Sequence, residues 1–155
     1  MSDFISNGRA VTTRNIFSRE TVVRIDILAD RGILWALLTN GSDLPRWNST
    51  VISLEGDIRK GEKIRLRSTL DPKRVFKLKV TEFEPESAMI WGAAMGKRVF
   101  KLKTLGNGTT NFFMSEKIGG PLFPLFSGMI PPFDESFEQF AKDLKKESEL
   151  IQNAN

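Results

Sequence analysis

Few side chains in this 155-residue chain are of types that do chemistry. It has no Cys, no His and no Tyr. That removes disulfides, thiolate metal sites, Fe–S clusters and cysteine nucleophiles, together with the commonest metal ligand and the one side chain that titrates unperturbed near neutrality. No metal site and no cofactor is expected. Carboxylates, Lys, Arg, Ser, Thr and Asn remain. Glu116, at the end of the run Thr109-Thr110-Asn111-Phe112-Phe113-Met114-Ser115-Glu116, is the candidate catalytic group. A carboxylate held on the inner face of a strand has the chemistry of a base for proton transfer α to a carbonyl. Asp26 and Arg24 are the other charged residues set among apolar neighbours. Asn48, Ser68, Asn111 and Ser115 are polar groups able to orient a bound molecule. A Walker-type phosphate loop, a dinucleotide fingerprint and a G-x-S-x-G elbow are all absent, and Gly106-Asn107-Gly108 is a turn.

Positioning these groups falls to a chain of ordinary globular balance, 40% hydrophobic and 27% charged, with a formal net charge of +4. At this length a single domain is the default, burying ~70% of the surface of the unfolded chain. The longest apolar run, Ile33 to Leu38, is far short of the ~18 residues of a membrane span. The first twenty residues contain no apolar core of a secretory signal, so a soluble, cytoplasmic protein is expected. Residues 1–19 are polar and without period, a tail or an edge segment, and 20–152 form the domain.

Within the domain, Glu20 to Ala29 alternates Val23, Ile25 and Ile27 with polar residues and reads as a strand. Asp30 stands at an N-cap position before the short apolar helix Ile33 to Leu38, which Thr39-Asn40-Gly41 should end. Asp43 to Trp47 reads as a second helical turn. From Thr50 the period changes to two, with strands over 50–55, 62–69, 74–83, 87–95, 99–105 and 109–117. Gly, Asn, Asp and Pro separate them. After Gly119-Gly120 comes an apolar stretch interrupted by Pro, then a helix from Pro132 to about Asn153. Phe133, Phe137, Phe140, Leu144 and Ile151 share one of its faces, and Pro132 suits its first position.

The strands alternate cleanly. Ile64 and Leu66 interleave with Arg65 and Arg67, Phe76, Leu78 and Val80 with Lys77, Lys79 and Thr81, and Phe100 and Leu102 with Lys101 and Lys103. One sheet face is therefore dry and the other wet, and the long helix must cover the dry one. Met89, Trp91 and Met95 join the dry face, with Ala88, Ile90, Gly92 and Ala94 as the alternative; strand 109–117 is compatible with either parity. An antiparallel sheet with helices gathered on one side is an α+β arrangement, here seven twisted strands around one long helix.

This order resembles the helix-grip fold of the SRPBCC superfamily, which includes START lipid-transfer domains, the major birch pollen allergen and polyketide cyclases/dehydrases. The likeness is carried by Ile33-Leu34-Trp35-Ala36-Leu37-Leu38-Thr39 leading to Leu44-Pro45-Arg46-Trp47-Asn48, by Glu55-Gly56-Asp57-Ile58-Arg59-Lys60-Gly61-Glu62, and by Val80-Thr81-Glu82-Phe83-Glu84-Pro85 before Trp91. Ser49 stands where the family's Pro-x-Trp-Asn-Pro pattern has its second proline. The resemblance spans roughly 20–152 and is specific for fold rather than function.

It implies a cavity between sheet and long helix for a hydrophobic small molecule, lined by Trp47, Leu66, Phe76, Leu78, Met89, Trp91, Phe100, Leu102, Phe112, Met114, Phe133 and Phe137. An enzyme of the cyclase/dehydrase kind, using Glu116 in the same cavity, is the alternative. A partner-binding domain whose interior is filled by its own side chains is the third reading. The apolar segment after the sheet reads as a loop packed over the core, as a first half of the final helix kinked at Pro131-Pro132, or as a lid, hinged at Gly119 and Gly120 and carrying Phe123, Phe126, Met129 and Ile130; it also offers a patch for a membrane or a second subunit. Charge is uneven. Residues 62–103 hold 11 Lys+Arg against 5 Asp+Glu, and 133–152 hold 3 Lys against 6 Asp+Glu. The basic sheet face reads as a solvated surface, and with its aromatics turned inward it lacks the stacking groups of a nucleic-acid binder. Oligomeric state leaves no trace in the sequence.

Overall fold

The computed structural model describes residues 7–154. Each run of period-two alternation becomes a strand, and together they make one antiparallel sheet. The strands are β1 (Ala10–Arg14), β2 (Ser18–Ile27), β3 (Val51–Glu55), β4 (Lys63–Ser68), β5 (Phe76–Glu84), β6 (Ala88–Gly92), β7 (Gly96–Gly106) and β8 (Thr109–Gly119). Their order across the sheet is β1-β2-β8-β7-β6-β5-β4-β3. β3 to β8 form a meander joined by short turns, and β8 returns to lie against β2. Register shifts at Val51/Ser53, Val80/Glu82 and Thr104/Gly106 place irregularities in three ladders, the device by which a sheet bends round a helix.

Among the described residues the sheet has eight strands where alternation predicts seven. The additional one, β1, is an edge strand paired to β2 from Ala10↔Val23 to Arg14↔Arg19. Its sequence AVTTR turns only Ala10 and Thr12 towards the interior, too few apolar positions to register as a pattern. Residues 1–6 of the predicted tail or edge segment lie outside the described residues. The β6–β7 turn also comes three residues earlier than expected, at 93–95 instead of 96–98. β6 ends at Gly92, where a Cβ would sit 2.4 Å from the Gly96 carbonyl oxygen. Met95 consequently falls in the turn and is exposed, outside the core it was expected to join.

Between β2 and β3 lie α1 (Arg31–Thr39) and α2 (Leu44–Trp47), linked by a 3-10 turn at 41–43. The segment after β8 holds a short helix α3 (Phe123–Phe126) and a 3-10 turn at 127–129. The long helix α4 (Asp134–Ala154) crosses the inner face, burying Phe137, Phe140, Ala141, Leu144 and Ser148. It starts two residues later than Pro132. The Phe137 N–H donates to the Phe133 carbonyl at 2.8 Å, so Phe133 occupies the capping position, while Asp134 and Glu135 stand in the favourable first turn. Among the described residues, no helix is long and apolar enough to cross a membrane.

The acidic face of α4 holds the sheet and its connections. The Ala10 N–H donates to Glu138 at 2.9 Å, that of Ser49 to Asp143 at 2.8 Å, that of Leu28 to Glu149 at 2.8 Å, and that of Asp30 to Gln152 at 2.9 Å. The surplus of acid over 133–152 thus satisfies backbone donors left free where strands and loops end.

Candidate functional site

The inner face is settled by the β2–β8–β7 register. Val23 faces Met114 and Phe100, Ile25 faces Phe112 and Leu102, and Thr21 faces Glu116 and Arg98. Even-numbered residues of β8 therefore point towards α4. The twelve residues implied as cavity lining all belong to one apolar cluster. Trp47, Leu66, Met89, Trp91, Phe100, Leu102, Phe112, Met114, Phe133 and Phe137 are buried, and Phe76 and Leu78 are half-buried at its margin. Aromatic rings run through it in contact. Trp91 meets Phe100 edge-on at 4.7 Å between centroids, and Phe140 lies within 6.2 Å of Phe100, Phe112 and Trp47. Phe133 stacks on Phe137 at 5.9 Å. Phe140 is thus the hub of the grip.

Trp47 is positioned by a clamp. Arg46 forms a bidentate pair with Asp43, at 2.8 and 3.0 Å, and reaches Glu147 of α4 at 2.9 Å. These bonds hold the Asp43 carboxyl below, and the Arg46 guanidinium above, their ordinary pKa values. Asn48 is fully buried and committed to structure. Its Oδ1 accepts from the Thr50 N–H and hydroxyl, and its Nδ2 donates to the Phe140 carbonyl at 3.4 Å. With α2 fixed in this way, the Trp47 indole N–H is buried in the aromatic cluster and has no hydrogen-bond partner among the described residues. An unpartnered buried donor costs about 1–3 kcal/mol, a standing preference for an acceptor at that point.

The inward-facing charged groups cluster towards the other end of the grip. Glu116 is on the inner face, and the Arg98 Nε donates to it at 2.8 Å; the Arg98 side chain is 12% and that of Glu116 18% exposed. The Arg98 guanidinium also covers the Phe137 ring at 5.0 Å. Arg19, buried beside it, stacks over Phe133 at 4.8 Å and donates to the carbonyls of Ile130 at 3.2 Å and Pro131 at 2.8 Å. Burial, then the charge of Arg14, pulls the Arg19 pKa down, while Asp134 and Glu116 push it back up.

Several expected site residues lie elsewhere. Arg24 and Asp26 face outward, because the odd positions of β2 are the inward ones; Arg24 stacks on Phe113 at 4.7 Å, and Asp26 accepts from Asn111 at 2.8 Å. Asn111 and Ser115 share that outward parity. Ser68 stays at a strand end, where its hydroxyl accepts from the Leu70 N–H at 3.1 Å. Arg19 and Arg98, which do face in, went unassigned. Carrying Phe100 and Leu102 back by two residues reaches Arg98, and carrying Val23 back through Thr21 reaches Arg19, so the period-two signal was present in both strands.

The segment between β8 and α4 closes this polar end. Phe123 is buried, Phe126 and Ile130 are half-buried, and Leu122, Leu125 and Met129 are exposed. At its start a Cβ on Gly119 would lie 2.5 Å from the Phe17 carbonyl oxygen, and Gly120 has φ +148°, so both places require glycine. Two surface depressions flank the grip. One of about 280 Å³ is lined by Phe17, Met95, Lys97, Lys117 and Gly119-Gly120, the other of about 420 Å³ by Thr39–Ser42 and Leu54–Ile58; neither is lined by a residue of α4.

No family model and no curated protein matches the sequence. Solved structures share the fold. A protein of Nitrosomonas europaea has a TM-score of 0.69 at 14% identity, over 92% of this chain and all of that one. A START superfamily protein of Mycobacterium smegmatis has a TM-score of 0.63 at 15% identity, over 85% and 98%. The di-domain ARO/CYC of the steffimycin biosynthetic pathway has a TM-score of 0.61 at 10% identity, over 85% of this chain and 45% of that one. At these identities the likeness concerns the fold alone: α+β, an antiparallel curved sheet closed on a long C-terminal helix.

Proposed function

We propose that this helix-grip chain is a small-molecule-binding protein that takes an apolar or amphipathic ligand between the sheet and α4. The observation that carries this reading is the Trp47 indole N–H, buried inside an otherwise apolar aromatic cluster and without a partner among the described residues. A donor buried in a dry region fixes the orientation of a ligand that the surrounding Phe, Met and Trp surface binds by desolvation. The grip is closed by its own side chains, so a ligand enters as the 119–132 segment lifts and the rings around Phe140 part. Organic extraction of the purified protein, followed by mass spectrometry, and displacement of a fluorescent fatty-acid probe test the reading. Retention of an apolar compound, or probe binding weakened at least tenfold in Trp47→Phe, is expected. A clean extract together with no probe binding overturns it and leaves a domain filled by its own core.

The Arg98–Glu116 pair favours a second reading, an enzyme of the cyclase/dehydrase kind. Glu116 would be the base, and Arg98 would stabilise charge developing on a carbonyl oxygen. Glu116→Gln keeps the shape of the side chain; lost turnover with retained ligand affinity is its signature.

A further inference from the structure

The same end of the molecule carries a second feature, on its outside. Three connections meet there: the β1–β2 turn, the β6–β7 turn and the segment leaving β8. They are tied by main-chain hydrogen bonds, Gly119 N–H to the Met95 carbonyl at 2.9 Å and Gly120 N–H to the Phe17 carbonyl at 3.0 Å. Their tips are apolar and exposed. Ile16 is 75%, Leu125 80% and Met129 82% accessible, and Phe17, Met95 and Leu122 are exposed with them. Single exposed apolar side chains are ordinary, whereas six on adjoining connections form a surface.

Charge says what that surface fits. Across residues 14–18, 93–97 and 117–132 there are three cations, Arg14, Lys97 and Lys117, and no Asp or Glu. Lys97 and Lys117 line the same depression as Phe17 and Met95, so the cations border the apolar tips. We propose that this end docks on an anionic lipid bilayer, with Leu125, Met129 and Phe17 in the headgroup–acyl boundary and the cations against the lipid charge. A second copy of the chain fits less well, since a two-fold contact sets like charges against like around the apolar centre. Docking would place the segment held by Arg19 at the membrane, but the inference rests on exposed residues alone and stands apart from the ligand reading.

Vesicle co-sedimentation tests it. The full chain should bind phosphatidylcholine vesicles containing ~30 mol% phosphatidylserine, bind pure phosphatidylcholine at least tenfold more weakly, and be released by about 0.5 M salt. L125D/M129D, whose sites are exposed and do not threaten folding, should weaken binding at least tenfold. K97Q/K117Q should weaken it about fivefold per cation removed. K77Q/K79Q/K101Q/K103Q, on the sheet face, should bind as the parent does. Three results would overturn the proposal: no sedimentation with either vesicle at low salt, binding unchanged by L125D/M129D, or binding abolished only by the sheet-face variant. A native mass showing a dimer that L125D/M129D dissociates would assign the patch to a second copy instead.

Discussion

Arg98 and Glu116 form the one ion pair on the inner face among the described residues, and their energetics follow from partial burial. Removing one member leaves the other charge desolvated and unpaired. Replacing both by apolar groups removes the desolvation cost along with the attraction. Glu116→Gln is therefore expected to lower stability by about 1–3 kcal/mol. Arg98→Met/Glu116→Leu should recover most of that loss, because Phe137 and Met114 supply apolar surface beside both positions. Urea denaturation of the three proteins reads the difference, and a double variant less stable than the single one would show that the pair is held by more than mutual compensation. The pair was half-legible in the sequence. Glu116 announced itself as a lone carboxylate in an apolar run. Arg98 is hidden within the basic 62–103 stretch, because Gly96-Lys97 reads as the end of a turn and conceals that β7 begins there. Trp47 was legible as an aromatic beside Pro45 and Asn48, but its orphaned N–H is a property of packing and has no counterpart in residue order.

For the elements, the strands from 50 onward and the long helix were legible because burial on one face imposes period two or 3.6 on them. β1 was not, since an edge strand with one half-buried flank carries little of that signal. The acidity of α4 was visible only as composition, and its role depends on which backbone donors end beside it. Glu149 illustrates this. Burial raises its pKa, but the Lys145 ammonium and the Leu28 N–H outweigh burial, and the carboxyl sits below its ordinary value near 4.5. A group with a depressed folded-state pKa contributes stability that is full above its unfolded pKa and is lost as pH falls through the folded one. The stability gap between the parent and Glu149→Gln should thus be widest near neutrality and narrow as pH falls below about 4.5. Urea midpoints at neutral and progressively acidic pH measure the gap; a constant offset would mean that Glu149 acts through shape rather than charge.

The whole molecule is graded along the grip. Its middle is a contiguous apolar cluster joining α1, α2, α4 and the sheet, with Phe100, Phe112, Phe137 and Leu144 among its fully buried side chains. At the polar end, the 119–132 segment is attached by Arg19, by one buried Phe and by a few turn hydrogen bonds, while Leu122, Leu125 and Met129 face solvent. Local opening takes place where apolar contacts are sparse and backbone donors meet water, so stability should fall from the middle to this end. Amides of β7 from Val99 to Leu102 and of β8 from Phe112 to Ser115 are expected to exchange only through global unfolding. Those of Leu122 to Ile130 should exchange at least a thousandfold faster, through an opening that leaves the sheet intact. Arg19→Met, which removes both donors to the 130–131 carbonyls while retaining apolar length, should speed exchange in that segment and leave the strand amides little changed. Equal protection in the two regions of the parent would mean that the segment is part of the core, and that a ligand would need another way in.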